Sequence, residues 1–215
     1  MKDFKERFIK AAERGDERNL KSLLLAPEYN ALIKGTGDMT ALIHAARGGH
    51  EDCIRLLLPV SDALSKDTRE MTALMWAARG GYKTCVGLLL PVSDALAQGG
   101  DGMTALMHAT WYGDERCVEL LLPKSDALSK DQNGMTALIY AAYSGHEACL
   151  RLLLPASDAC AKDVRGFTAG KLIRKLGYEF LAQFIDAYAL AQSEKAAIEA
   201  ASSSGAPRGR TSLRV

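Results

Sequence analysis

Apolar residues along this chain fall in short clusters that come in pairs. Ala41-Leu42-Ile43-His44-Ala45-Ala46 gives way to a break at Arg47-Gly48-Gly49. A second cluster then places Cys53, Ile54, Leu57 and Leu58 at helical spacing. The pattern predicts two short helices and a turn. Thr40 stands just before the first helix, where a hydroxyl can accept from the free N–H groups of the first turn. Gly48-Gly49 ends that helix, since glycine tolerates the left-handed exit conformation. The second helix runs from Glu51 to Leu58, and Pro59 does not continue it.

The same pair recurs. Met39-Thr40-Ala41-Leu42 returns as Met71-Thr72-Ala73-Leu74, Met103-Thr104-Ala105-Leu106 and Met135-Thr136-Ala137-Leu138, with a weaker copy at Phe167-Thr168-Ala169-Gly170, each step being 32 residues. Leu56-Leu57-Leu58-Pro59 and Ser61-Asp62-Ala63 repeat in the same register. Asp101-Gly102, Asn133-Gly134 and Arg165-Gly166 stand before successive capping threonines, and such pairs suit hairpin turns that need positive φ. Each junction is therefore expected to be a hairpin-like finger. Asp38 and Glu70 replace the glycine at the other two junctions, so those fingers are expected to be less regular. One such helix pair cannot bury its apolar face alone, and about three or more must stack.

These residues resemble the ankyrin repeat. Thr72, Leu74, Ala77, Ala78, Gly81 and Leu88-Leu89-Leu90 fit that family's pattern, as do their counterparts, including Gly49-His50 and Gly145-His146. Ala41, Ala73, Ala105 and Ala137 replace the family's Pro; Ile43, Met75, Met107 and Ile139 replace its His; and the period is one residue short. The resemblance implies an all-α solenoid of about six stacked helix–turn–helix units over residues 1–190. A capping unit at 4–27 comes first, with Phe8, Ile9, Leu20 and Leu23 in the repeat order, then an inserted loop, Pro27–Gly37. Four repeats follow at about 36–67, 68–99, 100–131 and 132–163. The closing unit, 164–190, is expected to be more polar because of Lys171, Arg174, Lys175 and Glu179. Residues 191–215 leave the pattern and read as frayed helix followed by a disordered tail.

Composition narrows the function. With 48% hydrophobic and 25% charged residues and a net charge of +1, the chain has core to bury and no global field for nucleic acid or a membrane surface. No apolar run approaches the roughly 20 residues of a membrane helix, and the charged start Met1-Lys2-Asp3-Phe4-Lys5-Glu6 is unlike a secretory signal. An intracellular, cytoplasmic monomer is expected.

The chemistry-bearing residues are mostly repeat-bound. Cys53, Cys85, Cys117 and Cys149 share one repeat position on the apolar stripe and read as small core residues, and Cys160 reads likewise. His50 with Cys53, and His146 with Cys149, have i, i+3 spacing that could begin a zinc site, but no further ligands accompany them. Asp62, Asp94, Asp126 and Asp158 recur with the loop, which favours turn hydrogen bonds over a singular acid–base pair. No metal, cofactor or catalytic residue is assigned, and a Cys-dependent enzyme is the minor rival.

What differs between repeats is free to recognise something. One first-helix position reads His44, Trp76, His108, Tyr140; two later ones read Arg47-Gly48, Arg79-Gly80, Trp111-Tyr112, Tyr143-Ser144. Stacking should gather Trp76, Arg79, His108, Trp111, Tyr112, Tyr140 and Tyr143 along one face. In ankyrin-like proteins first helices and fingers line the concave surface that grips partners, and Trp, Tyr and Arg are the residue types enriched at binding hot spots. The expectation is a scaffold or adaptor for an unidentified protein partner. Two weaker possibilities are rings that merely fill gaps between helices, Trp76 and Tyr140 above all, and a spacer that binds nothing; Trp111 and Tyr112 are less open to the first, because other units have Arg-Gly there.

Overall fold

The computed structural model describes residues 2–27, 29 and 33–203. Its helices are α1 (Lys2–Arg14), α2 (Glu17–Leu24), α3 (Ala41–Gly48), α4 (Glu51–Leu57), α5 (Ala73–Arg79), α6 (Lys83–Leu89), α7 (Ala105–Trp111), α8 (Glu115–Leu121), α9 (Ala137–Ser144), α10 (Glu147–Leu153), α11 (Ala169–Lys175) and α12 (Glu179–Ser203). Thr40, Thr72, Thr104, Thr136 and Thr168 each cap a first helix by accepting the backbone N–H three residues on. A single 3₁₀ turn with Pro in its first half follows α4, α6, α8 and α10. No strand occurs among the described residues, only an isolated bridge between Lys34 and Thr40.

The helices form two rows. The odd-numbered helices pack in succession from α1 to α11, and α2, α4, α6, α8 and α10 form the second row behind them. The core is the seam between rows. Leu42, Leu74, Leu106 and Leu138 bury fully beside Leu57, Leu89, Leu121 and Leu153. Each contributes about 1.5–3 kcal/mol of apolar burial. Ala45, Ala77, Ala109 and Ala141 are fully buried where first helices meet, and their small side chains let the helices approach. Thr110 takes the next such position and satisfies its hydroxyl by donating to Leu106 O at 2.8 Å.

The fingers are linked in series. Thr68 N donates to Gly37 O, Gly100 N to Arg69 O, Gln132 N to Asp101 O and Val164 N to Asn133 O, at 2.8–3.2 Å. This ladder fixes the translational register of the units. The Glu70 finger is as regular as its glycine counterparts, contrary to expectation: Glu70 accepts a left-handed φ of 58° and keeps the same turn hydrogen bonds. The Asp38 finger does differ, forming a 3₁₀ turn with positive φ at both Gly37 and Asp38.

Three further expectations are revised. Cys160 is exposed, because its position, shared with Leu64, Leu96 and Leu128, lies on the outside of the loop. The closing unit keeps Leu181 and Ile185 buried, as its repeat positions imply, but its outer face is not only polar: Phe180, Tyr178 and Phe184 are exposed beside the charged residues. Helix α12 runs unbroken past residue 190, and Gln192 Nε2 donates to Ser157 O at 3.0 Å, so the packed unit extends at least that far. The Ser/Gly/Arg-rich tail beyond Ser203 lies outside the described residues.

Candidate functional site

The groove between the fingers and the first helices is built from two kinds of position. The first is the fourth residue of each first helix: His44, Trp76, His108 and Tyr140. These side chains reach under the finger, and all four are buried. The second is the end of the same helix, where Arg47, Arg79, Trp111, Tyr112 and Tyr143 come to the surface.

Buried polar rings need partners, and the fingers supply them in alternation. Asp67 Oδ1 accepts from Arg69 N and Met71 N, closing its own finger, while Asp67 Oδ2 accepts from Trp76 Nε1 at 2.9 Å. Asp131 repeats this, with Oδ1 accepting from Asn133 N and Met135 N and Oδ2 from Tyr140 Oη at 2.6 Å. Where the ring is histidine, the Asp position is glycine: Gly35 goes with His44 and Gly99 with His108. Those histidines keep unpartnered buried nitrogens, both in His44 and Nε2 in His108. Burial lowers the pKa of each, that of His108 to about 4, so both are neutral in the groove wall at neutral pH. Burial, aided by the hydrogen bond to Asp131, pushes the Tyr140 hydroxyl well up.

The expectation that all seven recognition residues lie open along one face is therefore corrected for three of them. Trp76 is 9% exposed, and His108 and Tyr140 are each 3% exposed. Their fourth position in the helix directs them beneath the finger, where they act as its support. Trp111, Tyr112 and Tyr143 are exposed at 42%, 52% and 52%, and Arg79 lies between the two classes. Asp67 and Asp131 were not singled out from the sequence. The signal is there, in the pairing of Asp with a donor ring and Gly with His across the 32-residue step.

The exposed groups form a continuous stack that ends on a buried ring at each side. Arg79 is sandwiched between Trp76, 5.4 Å from its centroid, and Tyr112, at 5.5 Å. Tyr112 stacks on Trp111 at 6.5 Å, and Trp111 on Tyr140 at 5.0 Å. Trp111, Tyr140 and Tyr143 line a cleft of about 520 Å³, walled by the fingers at Asp101, Asn133 and Arg165. Local sequence explains how Tyr112 fits. At the equivalent positions Gly48 and Gly80 are roofed by the His50 and Tyr82 rings, which a Cβ would strike. In this unit the roofing residue is the small Asp114, whose side chain caps α8 instead.

The remaining chemistry-bearing residues are engaged in the scaffold. His50 Nε2 lies 2.9 Å from Glu13 O and His146 Nε2 3.0 Å from Trp111 O, each tying one unit to the next. Burial pushes the thiols of Cys53, Cys85 and Cys149 up to about 11, and that of Cys117 further still. Asp62, Asp94, Asp126 and Asp158 each accept a loop N–H two residues on, as the turn reading requires. No helix among the described residues is long and apolar enough to cross a membrane.

A family model described as ankyrin repeats (3 copies) matches residues 8–98 and 88–164. No individual curated protein sequence matches the chain.

Proposed function

Since the chain belongs to the ankyrin-repeat family, whose repeats are generally protein–protein interaction modules, we propose that it is a scaffold or adaptor holding a partner protein in its concave groove. The observation that carries this reading is the exposed aromatic patch of Trp111, Tyr112 and Tyr143 beside an open cleft. Large rings left half in water, stacked side by side along one groove, are the kind of residue that supplies binding energy once covered. Five free cysteines, four of them buried, fit a reducing compartment inside the cell.

The test is affinity capture with the wild-type chain and with a Tyr112→Ala/Tyr143→Ala double variant. The partner should be held by the first and lost from the second, while the thermal midpoint stays nearly constant. Equal recovery by a folded double variant would move the binding surface elsewhere.

A further inference from the structure

The groove has a second, chemically different end. Arg47 from the last turn of α3, Arg69 from a finger and Arg79 from the last turn of α5 converge on one ring. Their guanidinium carbons lie 5.3, 6.0 and 5.4 Å from the Trp76 centroid. With Thr68 and Asp67 they line a cleft of about 360 Å³. None of the three guanidiniums forms an ion pair among the described residues. Asp67 is the one carboxylate in the lining, and its oxygens are already committed to Trp76 and to two backbone N–H groups. Within the lining, three guanidiniums against one carboxylate leave an excess of two positive charges. The π face of Trp76 offsets part of their mutual repulsion, but a ring carries no counter-charge.

We propose that this cleft binds the phosphoryl group of a phosphorylated peptide segment, a proposal that rests on the groove being the partner-binding surface. A phosphorylated side chain carries roughly −1.5 to −2 charge at pH 7 and three strong acceptor oxygens, which match the two free charges and three separately anchored forks. A carboxylate brings one charge and two oxygens. An extended polyanion would need basic surface well beyond the cleft, and the net charge of +1 gives it no long-range attraction to the chain. Arg79 touches both this cleft and Tyr112, so one ligand can occupy both sites. Neighbouring first helices stack about 8–10 Å apart, and an extended chain advances about 3.3–3.6 Å per residue. The phosphorylated residue is thus about three residues from the apolar or aromatic residue that covers Trp111 and Tyr112.

Fluorescence anisotropy tests this with labelled peptide pools, degenerate except for a central phosphoserine with Phe three residues to either side. The comparison pools carry serine or glutamate at the centre. Anionic vesicles containing phosphoinositide and a single-stranded oligonucleotide serve as competitors. The phosphoserine pool should bind about tenfold or more tightly than either comparison pool, and Arg69→Gln should weaken it about tenfold, the loss of one charge-assisted bond. Arg69→Lys should recover part of the binding, because it restores the charge but not the fork. Arg69 contacts Asp67 only through its backbone N–H, so these variants leave the finger intact. Equal binding of the glutamate pool, binding unaffected by Arg69→Gln, or preferred competition by vesicles or oligonucleotide would each overturn the proposal. So would failure of every pool to bind. That last result leaves the adaptor reading standing if the Tyr112/Tyr143 variant still loses its captured partner, and removes both if it does not.

Discussion

Acid should destabilise this protein through His108 in a way that can be isolated from its other titrating groups. His108 is 3% exposed, and burial is the main cause of its lowered pKa, with the Arg79 charge adding to the effect and Asp101 opposing it. In the unfolded chain the imidazole titrates near 6.5 and in the folded chain near 4. Below about pH 6.5 the unfolded state takes up a proton that the folded state refuses, so stability falls as pH falls, and the loss levels off near pH 4. Between pH 7 and pH 5 the linkage amounts to about 2 kcal/mol. The assay is urea unfolding followed by circular dichroism at both pH values, for wild type and His108→Gln. The glutamine does not titrate. His44 and the carboxylates remain in both proteins and cancel in the comparison. The variant should lose about 2 kcal/mol less than wild type on going from pH 7 to pH 5. Equal losses in the two proteins would refute a neutral, desolvated His108 in the groove wall.

Other substitutions probe the scaffold and the groove in turn. Leu89→Ala, at a fully buried seam position, should cost about 2–5 kcal/mol in a denaturant melt; a near-neutral effect would contradict the stacking register. Tyr140→Phe removes the 2.6 Å bond to Asp131 but leaves the carboxylate two backbone donors, so denaturant unfolding should show a loss of about 1–3 kcal/mol. Asp131→Ala should cost more in the same assay, because it orphans those donors as well. Iodoacetamide at pH 7.5 should label the exposed Cys160 in the folded protein, with the four buried cysteines reacting only after unfolding, as read by mass spectrometry. Rapid reaction of a buried thiol in the folded protein would revive the Cys-dependent enzyme.

The repeat was legible because identical side chains recur at one step, and the core follows from periodicity alone. The split of the recognition residues into buried and exposed was legible only in part: Arg-Gly at the positions equivalent to Trp111 and Tyr112 marks a surface, and Trp76 and Tyr140 are the rings most open to a gap-filling role, but nothing marks the burial of His108 or the partners beneath the rings. Trp76 and Tyr140 are variable between units, and variation suggests a surface. Yet variation can also be matched within a unit, here by Asp67 beneath Trp76 and Asp131 beneath Tyr140, with glycine where histidine stands. That compensation spans nine residues and joins a finger to a helix, so neither the helical period nor the turn chemistry reveals it. Cys160 misled for a related reason: its repeat counterparts are leucines, and Leu64, Leu96 and Leu128 are exposed, against the usual burial of that residue type. The regular finger at Glu70 shows that tertiary support, from the ladder bond between Gly100 N and Arg69 O, can hold a non-glycine residue at positive φ.

Photo-crosslinking in cells tests most directly that the groove is where this protein meets its partner. A benzoylphenylalanine at position 112 or 143, on the groove, should crosslink to one partner protein, and the same group at position 119, exposed on α8 in the second row, should not. Crosslinks from position 119 with none from 112 or 143 would contradict the account.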